Sequence, residues 1–308
     1  MKWLKISLVL LLILLTANAF LGYNIIRQHI NANYLNEEAV NNAVKIFVDS
    51  GIEITPEQIP LKKPDLMIGV SQKFDGAEDY YIKCAGKING RGVSDSMTQH
   101  MINNGVRIID NAYGEYFEFY ENSFSFVYST SSDLSAYDEH LSIFDSEEQS
   151  GGVKNEKELV SLINDRLLGK NEKYSLELIS SAAFDDIVCL KLTQRYNGLP
   201  LVGCEIECVL AEDDIEFIRG ALVFIDIEKS YTADLIDALN IMFEEKEAHD
   251  QSADPKNTST VESVLAAYCP VFNSGSSEIY LVPAWCIEYM GNISNVRSMI
   301  NGEICANQ

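Results

Sequence analysis

The sequence predicts an α+β fold in which a single N-terminal transmembrane helix precedes antiparallel sheets with packed helices. Three observations support this prediction. Residues 6–26 contain no charged side chain. Later segments place apolar residues at the spacing of a helix face or alternate them with polar residues, as a half-buried strand does. Polar or glycine-containing stretches separate these segments, as expected for elements joined by tight turns.

The uncharged segment is the first predicted element. Lys5 and Arg27 bracket it, and its 21 residues would extend about 31 Å as a helix, close to the thickness of the hydrocarbon core. Lys2 and Lys5 precede it, so the positive-inside rule keeps the N-terminus in the cytoplasm. Residues 1–30 are therefore predicted to be a cytoplasmic tip and anchor. The protein is predicted to be a single-pass protein of the cell membrane whose C-terminal region is extracytoplasmic.

A second interpretation of this segment is a cleaved signal peptide. Ala17-Asn18-Ala19 matches the small-x-small pattern of a signal-peptidase site. The apolar character continues to Ile26, beyond the point where the apolar region of a cleaved signal usually ends, and this favours the anchor. Either interpretation exports the remaining chain.

Ser7, Thr16 and Asn18 are polar residues inside the predicted span. A polar side chain in the bilayer is costly, and a hydrogen bond to a neighbouring helix offsets about 1 kcal/mol of that cost. These residues are therefore predicted to bind a partner through the membrane helix. The alternative, that Asn18 is tolerated near the outer third of the span without a partner, stays open.

Composition limits the partners. The chain has 46 acidic and 23 basic side chains and a formal net charge of −23. Such a surface repels phosphate backbones, which argues against nucleic acid as a partner. The seven cysteines are an odd number, are scattered and form no C-x-x-C motif, so the sequence leaves their disulfide state open.

An N-terminal α+β ectodomain is predicted over residues 31–150. Its helix begins after Asn36, a good N-cap followed by Glu37 and Glu38, and ends at Gly51. Residues 66–128 are rich in aromatic and β-branched side chains and predict strands. The polar stretch 145–154 predicts the boundary to a second domain, residues 151–308.

The second domain opens with an amphipathic helix over residues 157–168, followed by two strands with clear alternation around residues 188–192 and 202–210. Asn197-Gly198 suggests a two-residue turn between these strands, but that register would pair Cys189 with Ile206 and mix the two faces. A five-residue loop over residues 197–201 pairs Leu192 with Ile206 instead, and this register is predicted. It directs Cys204 and Cys208 into the core.

The remaining elements repeat the same order. A strand at residues 216–226 is followed by a helix at residues 232–245 and by β segments at 261–268, 278–289 and 295–304. The ranges 155–228 and 230–308 therefore share a plan of one helix and three β segments, without a repeat at the level of residues.

The sequence contains no recognisable active-site motif. No two of the four histidines lie within four residues of each other, and no H-E-x-x-H, G-x-S-x-G or Walker A pattern occurs. Asp185-Asp186 and Asp213-Asp214 are predicted to lie in turns, where aspartate is common. The prediction is a non-enzyme with no catalytic, cofactor-binding or metal-binding residue and no small-molecule substrate. A hydrolase would require a cleft of perturbed carboxylates.

Several dispersed stretches carry a resemblance to a known family. They are the apolar N-terminal segment of residues 1–23, Gly51-Ile52-Glu53-Ile54, the hairpin at residues 194–201, and the stretches 281–287 and 300–303. In this order they resemble the YycH/YycI family of two-component-system regulators, and YycI in particular. The resemblance implies PepSY-like units in the ectodomain.

The resemblance also implies a function and partners. The protein would bind and modulate a WalK-type sensor histidine kinase that controls cell-wall metabolism in Gram-positive bacteria, acting through its membrane helix and ectodomain. A second YycH-like regulator would be a further partner, and no cofactor is implied. The alternative is a PepSY-type inhibitor or chaperone of an exported peptidase.

Overall fold

The computed structural model describes residues 34–71, 88, 96–102, 105–120, 125–131, 134–145, 153, 155–169, 173–212, 214–223, 227–251, 258–273, 278–289 and 292–305. They form two compact units, each discontinuous in sequence. Unit 1 takes its residues from Met1–Leu66, Asp234–Leu265 and Trp285–Ile304, and unit 2 from Met67–Ala233, Ala266–Ala284 and Cys305–Gln308. These bounds do not coincide with the predicted ranges 31–150 and 151–308.

The described helices are α1 (Glu37–Asp49), α2 (Ser135–Leu141), α3 (Glu156–Leu167) and α4 (Ala238–Asp250), with short 3-10 turns at Pro56–Gln58 and Ser142–Asp145. The strands are β1 (Ile52–Glu53), β2 (Ile68–Ser71), β3 (Met97–Ile102), β4 (Gly105–Asp110), β5 (Glu115–Tyr120), β6 (Ser125–Ser129), β7 (Tyr174–Phe184), β8 (Ile187–Tyr196), β9 (Leu199–Ala211), β10 (Asp214–Ala221), β11 (Ile227–Tyr231), β12 (Ser259–Asn273), β13 (Glu278–Tyr289) and β14 (Asn292–Ser298).

The predicted fold class is wrong. The described residues are 51% strand and 25% helix, and their strands join a large mixed sheet instead of separate antiparallel ones. Among the described helices, none is both long and apolar enough to cross a membrane. The longest, α1 and α4, have 13 residues, about 20 Å of helix against a hydrocarbon core of about 30 Å. The structure thus gives no support for an N-terminal transmembrane helix; residues 1–30, where it was predicted, lie outside the described residues.

The sheet of unit 2 contains an antiparallel run of eight strands. Its order is β7-β8-β9-β10-β6-β5-β4-β3, and each neighbouring pair is antiparallel. The sheet becomes mixed where β12 joins β9 in parallel, with Tyr268 opposite Leu201. This parallel pair connects strands far apart in sequence, so no local pattern could have indicated it.

One face of this sheet is apolar and buried, as the alternating pattern predicts. It is formed by Leu190 and Leu192 of β8, Ile206 and Cys208 of β9, Ile218 of β10, Phe126 and Tyr128 of β6, Phe117 and Phe119 of β5 and Ile108 of β4, all at most 2% exposed. Helix α3 packs on β7, where the Asn164 side chain accepts a hydrogen bond from Leu176 N at 2.6 Å. The predicted helix over residues 157–168 is thereby confirmed within one residue.

The β8–β9 hairpin has both the two-residue turn that Asn197-Gly198 suggests and the matched apolar faces that the alternating pattern requires. Leu192 lies opposite Ile206, as predicted, but the turn contains only Asn197 and Gly198, with Tyr196 opposite Leu199. The predicted five-residue loop is therefore wrong. A bulge between Thr193 and Arg195 shifts the register, so that a two-residue turn and a face-matched ladder coexist.

Unit 1 contains α1, α4, β1, β14 and parts of β12 and β13. The start of α1 is as predicted, because the Asn36 side chain accepts a hydrogen bond from Glu38 N at 2.9 Å. Strand β1 pairs in parallel with β12, Ile52 opposite Ser259. Trp285 is buried in this core.

Helix α4 begins six residues later than predicted. The Asp237 side chain caps it by accepting from Asn240 N at 2.9 Å. The preceding Ile236 donates its backbone N–H to Met299 O at 2.6 Å and accepts from Trp285 Nε1 at 3.0 Å. These long-range hydrogen bonds hold Ile236 outside the helix, which overrides the local helical pattern.

Candidate functional site

The face of the unit 2 sheet opposite its apolar core carries a row of mostly charged side chains. Because directly opposed residues of neighbouring strands point to the same side of a sheet, the pairing registers define this row without ambiguity. We call it the charged row: Arg107 of β4, Glu118 of β5, Val127 of β6, Arg219 of β10, Glu207 of β9 and Lys191 of β8. Basic and acidic residues alternate along it, interrupted only by Val127.

Neighbouring members of the charged row form ion pairs. Arg219 Nε lies 2.6 Å from Glu207 Oε2, and Arg219 Nη1 lies 2.7 Å from Asp138 Oδ1 of α2. Lys191 Nζ lies 3.4 Å from Glu205 Oε2, on the same face of β9. Opposite charges on adjacent strands attract each other, whereas like charges there would destabilise the sheet.

Helix α2 covers one end of this face. Leu141 packs with Ala182, Cys189, Val209 and Phe217 in a buried cluster. The Tyr137 ring stacks on Phe217 with centroids 5.0 Å apart. The ion pair between Asp138 and Arg219 joins the helix to the charged row.

The uncovered part of the face contains a groove of about 350 Å³. Its lining combines charged, aromatic and small residues: Tyr120, Ser125, Phe126, Val127, Lys191, Glu205, Glu207, Arg219 and Gly220. The side chains of Lys191 and Glu205 are 31% and 44% exposed, so both charges can be reached from solvent. The groove thus offers both signs of charge around an apolar floor.

Gly220 shapes this groove. A Cβ atom at Gly220 would lie 2.1 Å from the backbone oxygen of Glu205 and 2.7 Å from Ile206 Cα. Its φ of +139° is also one that residues with a side chain rarely adopt. Only glycine therefore allows β9 and β10 to approach this closely beneath the groove.

A second polar cluster lies at the β4–β5 end of the charged row. Glu118 Oε1 accepts from Arg107 Nε at 2.7 Å, and Glu118 Oε2 accepts from the Tyr120 hydroxyl at 2.7 Å. The Arg107 guanidinium also lies over the Tyr116 ring, 5.1 Å from its centroid, in a cation–π geometry. Tyr120 belongs to both this cluster and the groove.

The cluster sets the protonation of its members. Burial alone would raise the pKa of Glu118, but hydrogen bonds from Tyr120, Arg107 and Tyr116 outweigh it and hold that pKa below its ordinary value. The hydrogen bond to the Glu118 carboxylate, followed by burial, raises the pKa of Tyr120. Burial and the same carboxylate raise the pKa of Tyr116. The cluster therefore combines an ionised carboxylate with neutral phenols at neutral pH.

The predicted partner-binding residues Ser7, Thr16 and Asn18 lie outside the described residues. Of the acidic pairs, Asp185 and Asp186 lie in the turn between β7 and β8, as predicted, and Asp185 has a φ of +48°. Within the described ranges, no group of three or more histidine, cysteine, aspartate or glutamate side chains is arranged to hold a metal ion.

No pattern in the sequence indicates the charged row as a unit. The alternation in β8 and β9 already placed Lys191, Glu205 and Glu207 away from the core, so three of the nine residues that line the groove were predictable. Arg219 and Glu118 belong to strands whose neighbours are set by the tertiary fold. No local pattern indicated that they complete the row.

Comparison with known proteins gives a limited likeness. No protein-family model matches the chain, and no curated protein matches it. A crystal structure of an uncharacterized protein from Eubacterium rectale is 13% identical with a TM-score of 0.48, covering 83% of this chain and 89% of that one. The Bacillus megaterium YpeB C-terminal domain is 9% identical with a TM-score of 0.30, covering 76% of this chain and 97% of that domain.

Proposed function

We propose that the protein is a non-catalytic regulator that acts outside the cytoplasm at the cell membrane by binding a WalK-type sensor histidine kinase. The proposed binding surface is the groove on the charged row of unit 2. The kinase as partner rests on the YycI-like stretches of the sequence. The observation that carries a binding role is the groove itself, with its mixed charges and apolar floor.

The chemistry of the groove suits a protein partner. Protein interfaces combine an apolar centre with polar and charged side chains of both signs, and charge complementarity selects the partner. Val127 and the Tyr120 ring supply apolar surface, while Lys191 and Glu205 supply accessible charges of opposite sign. A partner strand or loop with an acidic and a basic residue could replace the pairing between these two side chains.

Binding of this kind regulates by shifting a population. A protein that prefers one conformation of the kinase stabilises that conformation by its difference in affinity for the two. About 1.4 kcal/mol of such a difference changes the equilibrium tenfold. The direction of the shift, towards the active or the inactive kinase, follows from which conformation is bound more tightly.

The test compares two charge reversals that alter net charge equally. Lys191→Glu places a third acidic side chain in the groove beside Glu205 and Glu207. Lys157→Glu makes the same change on the exposed face of α3. Titration of the full chain with the extracytoplasmic region of the kinase is expected to give a Kd roughly tenfold higher for Lys191→Glu and unchanged within about twofold for Lys157→Glu.

Equal losses in both variants would show that net charge, and not the groove, governs binding, and would overturn the proposed surface. Identification of partners by mild crosslinking in native membranes and mass spectrometry tests the partner itself. Recovery of a histidine kinase supports the proposal. Recovery of an exported peptidase without a kinase would favour the PepSY-type inhibitor instead.

A further inference from the structure

Helix α2 and the 3-10 turn that follows it, Ser142–Asp145, lie over part of the face that carries the charged row. We call residues 134–145 the cover. Beneath the cover, the strand registers place a row of apolar side chains on the same face as the charged row, two residues further along β8, β9 and β10. This apolar row consists of Ala182, Cys189, Val209 and Phe217, each at most 1% exposed.

The cover supplies the other side of this buried cluster. Leu141, which is 1% exposed, packs against the apolar row, and further apolar side chains of the cover surround it: Leu134, Tyr137, Ile143 and Phe144. The described members of the cluster thus come either from the strands or from the cover. Cys189 has no exposed surface. A reagent approaching this face can therefore reach the Cys189 thiol only if the cover moves away.

The secondary structure of the cover is weak by itself. Helix α2 has seven residues, fewer than the roughly 12–15 that an isolated helix needs in water. Its N-cap position is Leu134, whose side chain cannot accept a hydrogen bond from the first turn. The helix therefore depends on its packing against the sheet. Releasing the cover breaks fewer contacts than unfolding the sheet, which is the condition for a local opening.

An ion pair connects the cover to the groove. Asp138 Oδ1 lies 2.7 Å from Arg219 Nη1, and the same guanidinium donates through Nε to Glu207 Oε2 at 2.6 Å. The side chains of Asp138 and Arg219 are 60% and 37% exposed, so charged groups from solution can compete for this pair. Arg219 also lines the groove. A carboxylate that enters the groove and pairs with Arg219 would therefore draw it away from Asp138.

We propose that the cover opens while the sheet stays folded, and that the Asp138–Arg219 ion pair couples this opening to the groove. Pairing of Arg219 with an acidic side chain in the groove weakens the hold on the cover. Opening then uncovers the apolar row beside the groove and enlarges the surface on which a partner can bind. The opening is a property of this chain alone, so its test does not depend on the proposed kinase.

Alkylation of Cys189 measures the opening. The folded full chain is treated with N-ethylmaleimide under native conditions, quenched with excess thiol at a series of times, and mapped by mass spectrometry. Cys189 is expected to react at least about tenfold faster than Cys204 and Cys208, which lie on the opposite face of β9 from the cover. A Cys189 rate no higher than that of these two thiols would mean that global unfolding exposes all three, and would overturn the proposal.

Variants of the chain test the ion pair. Asp138→Asn removes an exposed ion pair and is expected to raise the Cys189 rate about two- to fivefold. Glu139→Gln removes the same charge from the neighbouring exposed residue and should leave the rate unchanged. Arg219→Gln should act like Asp138→Asn, and the double variant should be no faster than either single variant, because both changes break the same contact.

Two results would contradict this coupling. Equal rates for Asp138→Asn and Glu139→Gln would show that the ion pair does not hold the cover. Effects of Asp138→Asn and Arg219→Gln that multiply in the double variant would show that the two side chains act independently.

Discussion

Arg297 Nε donates to Glu245 Oε2 at 3.0 Å inside unit 1, where the two side chains are only 9% and 8% exposed. Glu245 also accepts from the Tyr289 hydroxyl at 3.1 Å, and Arg297 Nη1 donates to Gly302 O at 3.1 Å. These contacts compensate the burial of both charges. They also join α4 to the strands β13 and β14 and to the turn that follows β14.

Removing one member of this buried pair is expected to be costly. Glu245→Leu leaves the Arg297 charge without its partner, and the free energy of unfolding should fall by about 3–5 kcal/mol. Replacing both residues, with Glu245→Leu and Arg297→Met, should restore part of the loss because no charge stays buried. Urea denaturation followed by circular dichroism measures the free energy of unfolding of the single and the double variant.

An exposed ion pair on the same helix provides the control. Lys246 Nζ lies 2.5 Å from Asp250 Oδ2, one helical turn apart. Asp250→Ala should lower the free energy of unfolding by less than about 0.5 kcal/mol. Similar losses for Asp250→Ala and Glu245→Leu would contradict the view that burial of the Glu245–Arg297 pair determines its cost.

Two glycines are expected to differ in their sensitivity to alanine. Gly198 in the β8–β9 turn has a φ of +80° and no atom within 4 Å of an added Cβ, so Gly198→Ala should cost only backbone strain, about 1 kcal/mol. Gly220→Ala adds a clash with the backbone of Glu205 and Ile206 and should cost about 3 kcal/mol or more. Chemical denaturation of both variants measures the difference, and a larger loss for Gly198→Ala would refute this account.

The lowered pKa of Glu118 predicts a loss of stability in acid. Because the folded-state pKa lies below the unfolded value of about 4.3, the Glu118 contribution is complete above that value and is lost as the pH falls through the folded pKa. Glu118→Gln should therefore flatten the fall in unfolding free energy below about pH 4.3. Glu158→Gln on the exposed face of α3 is the control, and equal flattening by both would argue against a special role for Glu118.

The buried thiol of Cys204 predicts the opposite behaviour in alkali. Its pKa is raised by burial to about 12, so its contribution is complete below the unfolded value of about 8.5 and is lost as the pH rises from there towards 12. Cys204→Ala should reduce the alkaline slope of the unfolding free energy by up to about 1.4 kcal/mol per pH unit. Cys305→Ala should not reduce it, because the Cys305 pKa is lowered. Identical slopes for Cys204→Ala and the unsubstituted chain would count against the prediction.

Local patterns predicted much of the secondary structure. The cap at Asn36, the helical stripe through Leu159 and Ile163, and the alternation that buries Cys204 and Cys208 are all confirmed. Each of these features depends on interactions within one or two turns of a helix or on the alternation of side chains between the two opposite faces of a strand. Such signals are complete in a short stretch of sequence.

The errors arose where distant residues decided a local outcome. Helix α4 starts late because Ile236 is hydrogen-bonded to Met299 and Trp285. The β8–β9 turn has only two residues because a bulge between Thr193 and Arg195 shifts the register, so that the apolar residues beyond the bulge still lie opposite each other. Neither the late helix start nor the bulge has a signature in its own segment.

The sequence by itself determined that β8 and β9 are strands and which of their faces avoids the main core, because side chains alternate with a period of two. It did not indicate β7 (Tyr174–Phe184). It also determined the acidic character that disfavours nucleic acid. The order of strands, the parallel pairing of β9 with β12, and the charged row from Arg107 to Lys191 were decided by the tertiary structure. These features depend on which strands become neighbours, and strand pairing joins residues across long stretches of chain whose local sequences do not specify a partner.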